Sequence, residues 1–393
     1  MYKYSAILLF YLIYNISFVY AAVRPVLIAF DGEYGLQNST SAQMIEKGLR
    51  IAIKEINDQG GVLNGRQLGL ITKDNRSVPA RGIQNVKEFA ENKDVVAVVG
   101  GRFSPVILSV IPIVHEEKII LMDAWGSADK ITDHDYQPSF TFRVSLRDKY
   151  AMPTMIKHAI SKGGKKIGLL LPNTGWGRSN QKAARKYIKE SKSDIQLKEI
   201  WYNWGDKDFI TAYETFLQWG AESLLMVAND IEGSLVVRLA ASYPEKKILP
   251  IISHWGVTGG YFVEACQGSL DKIDFSVVQT FSLFKADPAI RAKVMKYAGE
   301  MFGIKDIKDI QSPVGFGHAY DIVHLLAKAI EAAGSSDRSK VREALEEVSD
   351  YRGLVKYYKK PFSPTDHNAL EMSDVFMAVF DKQGVLKPIE TRK

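Results

Sequence analysis

The side chains of this sequence that can do chemistry gather in turns that follow short apolar runs. These turns read Asp31-Gly32-Glu33-Tyr34, Gly100-Gly101-Arg102-Phe103-Ser104, Asp123-Ala124-Trp125-Gly126-Ser127, Asn173-Thr174-Gly175-Trp176-Gly177, Asn229-Asp230 and His254-Trp255-Gly256. Arg102 offers a rigid fork of N–H donors that fits a carboxylate bidentately, Ser104 and Ser127 offer hydroxyls, and Asn229 offers an amide. Phe103, Trp125, Trp176 and Trp255 offer flat apolar faces, and each indole adds one N–H donor. Together they suit a small molecule with a flat or apolar body and an acidic or oxygen-bearing end. His254 reads equally as a ligand contact or as a buried, hydrogen-bonded imidazole. Asp31 and Glu33 read as turn caps ahead of ligand groups, and Trp201 and Trp204 as packing.

Catalytic and cofactor signals are sparse. Gly175 to Asn180 has the outline of a dinucleotide fingerprint, but Asn180 replaces its third glycine and Trp176 stands between the first two. The histidines at 115, 134, 158, 254, 318, 324 and 367 have no metal-ligand spacing. Neither a cofactor nor a metal is expected. A secreted α/β hydrolase or lyase would need a nucleophile elbow or an oriented base, and neither is visible. The chain is therefore read as a non-enzyme. The net charge of +6 is spread without a basic block, which argues against nucleic acid. Cys266, the single cysteine, reads as a small buried side chain. The triplet Asn38-Ser39-Thr40 matches a glycosylation sequon of the kind that occurs by chance.

These turns need elements to hold them, and the apolar pattern supplies them. Val26 to Phe30 reads as a strand, and Ile45, Leu49, Ala52, Ile53 and Ile56 then recur at helical spacing until Gly60-Gly61 stops the helix. Further strands are predicted at Leu68 to Thr72, Val95 to Val99 and Ile119 to Met122. The series restarts with strands at Ile167 to Leu171, Lys198 to Tyr202, Leu224 to Ala228 and Leu249 to Ile252. Between them lie helical stripes formed by Met152, Met155, Ile156 and Ala159, and by Phe209, Ile210, Tyr213, Phe216 and Leu217. Buried strands joined by helices imply an α/β fold of two parallel sheets, and 393 residues suit two domains. Ligands of such sheets bind beyond the carboxyl ends of the strands, where the turns above fall.

The first residues have another character. Lys3 precedes an apolar run from Ala6 to Tyr20 that ends at Ala21 and Ala22, the form of a secretory signal peptide over 1–21. No cysteine ends that run, so a free periplasmic protein is expected in place of a lipoprotein.

The segments KGLRIAIKEINDQGGVLNGRQLGL, VVAVVGGRFSP, KIGLLLPNTGWGRSN and SPVGFGHAYDIVHLLAKAI resemble, in that order and spacing, the periplasmic binding proteins that deliver branched-chain amino acids, amides and related solutes to ABC importers. The resemblance implies a type I periplasmic binding protein: two Rossmann-like lobes joined by a three-segment hinge and closing on the ligand. By that likeness 24–143 plus 280–352 form the first lobe and 144–279 plus 353–393 the second. It also implies a monomer that serves an ABC importer permease or, alternatively, a membrane signalling partner. Ser104 matches the hydroxyl that holds the ligand's carboxylate with helix-start N–H groups, and Ser127 matches a second hydroxyl. Trp176 matches an aromatic residue that closes from the second lobe, and Tyr320 a cleft position on the last long helix. At one position the sequence departs from the family. Leucine-type receptors place an acid for the ligand's ammonium where this sequence has Trp255, so a planar or aromatic carboxylate or amide is expected ahead of a branched-chain amino acid.

Overall fold

The computed structural model describes residues 24–36, 39–192 and 194–390. The predicted leader at 1–21 and Asn38 of the sequon lie outside the described residues. Among the described residues no helix is long and apolar enough to cross a membrane.

The first sheet holds β1 (Val26–Gly32), β2 (Leu68–Asp74), β3 (Val95–Gly100), β4 (Ile120–Asp123) and β5 (Thr141–Arg143). Its order is β2-β1-β3-β4-β5, all parallel. Helices α1 (Ser41–Asp58), α2 (Pro79–Glu91) and α3 (Ser104–Glu116) connect these strands. Every member of the predicted α1 stripe is buried.

The chain then crosses to α4 (Asp148–Ser161), β6 (Lys166–Pro172), α5 (Gly175–Ser191), β7 (Gln196–Tyr202), α6 (Ile210–Trp219), β8 (Ser223–Met226), α7 (Asp230–Ala240), β9 (Ile251–Ser253), the short α8 (Phe262–Ala265) and β10 (Phe275–Gln279). The predicted α4 stripe is fully buried, whereas in the predicted α6 stripe Ile210 faces solvent. A second crossing leads to α9 (Pro288–Phe302), α10 (Pro313–Ala333) and α11 (Arg338–Leu345). α10 lies against α1, where a Cβ at Gly48 would overlap the carbonyl oxygen of Phe316. Glycine lets the two backbones approach there.

A hairpin follows, β11 (Tyr351–Arg352) with β12 (Tyr357–Tyr358), and then β13 (Phe376–Phe380) and β14 (Leu386–Pro388). The second sheet has the order β14-β13-β10-β9-β8-β6-β7. The strands β6 to β10 are parallel, but β13 runs antiparallel to β10 and β14 antiparallel to β13. The second sheet is thus mixed and not wholly parallel as the sequence suggested: β13 joins it after the excursion through the first lobe and not by a crossover helix, and a tight turn then returns β14 beside it.

The third crossing also falls later than residue 353. Asp321 of α10 accepts the hydroxyls of Tyr351 and Tyr358 and the backbone N–H groups of Leu354 and Val355. Further on, Arg143 donates its N–H to His367 O, and Ala369 donates to Arg143 O. The hairpin and residues 367–369 therefore stay with the first sheet, and the chain crosses between Ala369 and Phe376.

In the first sheet β1 lies between β2 and β3, and in the second β6 lies between β7 and β8. At such reversals the connections leave on opposite faces and open a crevice at the carboxyl ends of the strands. The turns bearing Glu33 and Arg102, and those bearing Trp176 and Asn229, sit at these two crevices.

Candidate ligand-binding site

The two crevices face each other. Arg102, Phe103, Ser104, Trp125 and Ser127 of the first lobe and Trp176, Asn229 and Trp255 of the second line one cavity, with Pro105, Trp204 and Gly256. The lobes are closed, and the cavity measures only about 10 Å³, room for about one water molecule. Aromatic side chains fill most of the space. Trp125 and Trp255 lie with ring centroids 5.9 Å apart, and Phe103 meets Trp204 edge to face at 5.4 Å.

The first-lobe loops are wired to one another. Ser104, in the first turn of α3, accepts the backbone N–H groups of Ser127 (3.1 Å) and Ala128 (3.2 Å) on Oγ, which leaves its own O–H as a donor. The loop after β4 is shaped from beneath by Arg143, whose guanidinium donates to the carbonyls of Ser127, Ala128, Asp129 and Leu146 and to the Thr132 hydroxyl. Asp123 accepts the N–H groups of Trp125 and Gly126. Burial pushes Asp123 up to about 7, against the pull of Arg143 and those two N–H groups.

On the second lobe His254 is fully buried and absent from the cavity wall. Its Nδ1 accepts the N–H of Trp255, so the proton sits on Nε2 and points at Asp148 Oδ1, 3.1 Å away. The Trp176 ring stands edge-on to the imidazole at 5.0 Å. His254 thus braces two aromatic residues of the wall without reaching the cavity. Behind Trp255, burial pushes His318 down to about 4, and its ring bonds Ala124 O and the Thr280 hydroxyl.

Tyr320 stands elsewhere. Its hydroxyl donates to Glu55 on α1, on the packed side of α10. Arg102 does not stand free either: its Nη2 lies 3.0 Å from Asp230 Oδ1 on the opposite lobe. Asp31 accepts the side-chain amides of Asn75 and Asn85, and Glu33 accepts the Ser41 hydroxyl and the Arg102 N–H. Both carboxylates tie loops together behind the cavity.

Several buried donors of the wall lack a hydrogen-bond partner among the described residues: the indole N–H groups of Trp125, Trp176 and Trp204, and Nε and Nη1 of Arg102. A buried donor left unpaired costs about 1–3 kcal/mol. A ligand that brings oxygen acceptors would relieve that cost.

The family model for periplasmic binding proteins matches residues 25–384. The chain belongs to this family. Members are extracytoplasmic solute-binding proteins and not enzymes. This periplasmic binding protein is 25% identical over 345 residues to the Leu/Ile/Val-binding protein homolog 1 of Brucella abortus, covering 86% of this chain and 87% of that one. Among solved structures it matches, with a TM-score of 0.75 and 20% identity, the branched-chain amino acid transporter substrate-binding protein LivJ of Streptococcus pneumoniae in complex with isoleucine. That match covers 93% of this chain and 99% of the other. A solute-binding protein of an R. palustris ABC transporter in complex with benzoate matches with a TM-score of 0.77 and 16% identity, covering 93% and 95%. The likeness in fold is thus shared by receptors of unlike ligands.

Sequence reasoning did not name Asp148, read Trp204 as packing only, and placed Asp230 in a strand-end turn without its pairing to Arg102. Trp204 follows β7 at Asn203-Trp204-Gly205, the same strand-then-turn signature that marked the other aromatic residues. Asp230 was visible beside Asn229, but nothing local shows that it meets Arg102. Asp148 opens a helix and looks like an ordinary first-turn acid.

Proposed function

We propose that this periplasmic binding protein closes its two lobes on a small planar ligand with an oxygen acceptor, an aromatic or otherwise planar carboxylate or amide, and presents it to the permease of an ABC importer. The observation that carries this reading is the cavity wall: flat aromatic faces from both lobes, with buried N–H donors of Trp125, Trp176, Trp204 and Arg102 awaiting acceptors. Ser104 and Ser127, at the start of α3 and in the loop after β4, suit an anionic or carbonyl oxygen, since a helix start offers unpaired donors and a partial positive charge. The benzoate held by the R. palustris structure shows that a receptor of this fold accommodates a planar acid. The ligand enters when the lobes part, because the closed cavity holds little more than a water molecule.

A thermal-shift screen of the mature protein against aromatic acids, aromatic amides, dicarboxylates and amino acids tests the reading, because a ligand bound only to the folded state raises the melting temperature. Planar acids or amides should raise it most. A rise confined to aliphatic amino acids would defeat the proposed ligand class.

A further inference from the structure

We infer that Arg102 and Asp230 form a latch between the lobes, so that Arg102 acts through Asp230 to hold the receptor shut; this rests on the solute-receptor reading above. Arg102 projects from the turn after β3, and Asp230 is the first residue of α7 on the opposite lobe. Their side chains are 5% and 6% exposed, and Nη2 lies 3.0 Å from Oδ1. The second lobe has room made for the guanidinium: a Cβ at Gly259 would overlap Arg102 Nη1. On the first lobe the guanidinium lies 4.6 Å from the centre of the Phe103 ring, and the Arg102 N–H donates to Glu33 Oε2. Along the same rim, Thr40 donates its N–H to Gly259 O at 2.9 Å and Ser312 donates its hydroxyl to Thr258 O at 2.9 Å.

Those neutral contacts exchange readily with water when the lobes part, whereas the ion pair does not behave so simply. Closure removes two charges from water, which is tolerable only because each meets the other. Removing one leaves its partner buried and uncompensated in the closed form alone, so the equilibrium moves toward the open form. With its charge met by Asp230, Arg102 is a positioning residue for closure, and its remaining N–H groups are secondary donors to the ligand.

Small-angle scattering of the ligand-free protein tests the latch. Asp230→Asn, Arg102→Gln and Gly259→Ala should each enlarge the radius of gyration, and the exchanged pair R102D/D230R should recover compactness. Melting curves confirm that each variant is folded. Single variants as compact as the parent, or an exchanged pair no more compact than the singles, would overturn the latch. With benzoate as probe, Asp230→Asn and Arg102→Gln should each weaken binding about tenfold or more. Tighter benzoate binding by Asp230→Asn would instead mark Arg102 as a direct clamp that Asp230 competes for, and would also overturn the latch. If benzoate binds no form of the protein, the proposed ligand class fails while the scattering still decides the latch.

Discussion

Trp125 of the first lobe and Trp255 of the second stand 5.9 Å apart with their planes inclined at 57°, so the lobes meet indole against indole across the cleft. Both rings are buried in this closed form. Both indoles line the cavity, so ligand binding should change tryptophan emission. Saturating binding that leaves the emission unchanged would place the ligand outside the cleft.

Ser104 does two things at once. It lines the cavity, where its hydroxyl keeps a hydrogen to donate, and its oxygen accepts the N–H groups of Ser127 and Ala128. Ser104→Ala should weaken ligand binding by about 1–2 kcal/mol, the loss of one hydrogen bond to a charged group. It should also destabilise the first lobe by about 1–3 kcal/mol for each buried N–H left without an acceptor. Calorimetric titration and denaturant unfolding measure the two separately, and a variant unchanged in both would remove Ser104 from the site.

The ligand class turns on the charge that Trp255 cannot supply. An α-ammonium buried in the cleft needs an anionic partner, and an indole face recovers only about 1–2 kcal/mol of its desolvation. Asp230, a carboxylate of the same lobe as Trp255, already faces Arg102 across the cleft. Leucine, isoleucine and valine should bind weakly in calorimetry, and planar acids or amides should bind more tightly. Micromolar or tighter affinity for leucine would defeat this and would mean that an acid such as Asp230 reaches the ammonium.

Burial of Asp31 gives the fold a pH dependence whose sign follows from the direction of its shift. Burial pushes its carboxyl up to about 7 from 3.8, against the hydrogen bonds from Asn85 and Asn75. A folded value above the unfolded one means the native state binds the proton more readily. The stability this contributes is complete below about 4 and lost as pH rises through about 7. Melting temperatures measured from pH 5 to pH 8 should fall, and Asp31→Asn should remove only the Asp31 share of the fall, because burial also pushes Asp123 and Asp321 up to about 7. An unaltered pH profile in that variant would show that other groups set it.

Much of the architecture was legible because it rests on local periodicity. The strand runs at Val26, Val95 and Ile167 are buried on both faces, and the α1 and α4 stripes recur at helical spacing, so burial left its pattern in neighbouring residues. Ile210 joined its stripe by spacing alone and proved exposed, since it opens α6 at the edge of the second lobe. The antiparallel β13 and β14 went unread. Their short runs carry no helix between them and gave no period to detect.

At the site, the sequence by itself determined which loops would meet. A strand end followed by Gly, Trp or Ser is a local feature, and the fold brings strand ends of both lobes to one cleft, so Ser104, Trp125, Ser127, Trp176, Asn229 and Trp255 could be named in advance. Which way a side chain turns within that cleft was decided only by the tertiary structure. Arg102 turned to Asp230, about 130 positions away along the chain. His254 turned from the cavity to Asp148, and Tyr320 turned to Glu55 on the packed face of its helix. Each of these polar groups is buried and must find a partner, and partners so distant in sequence leave no trace in the spacing of neighbouring residues.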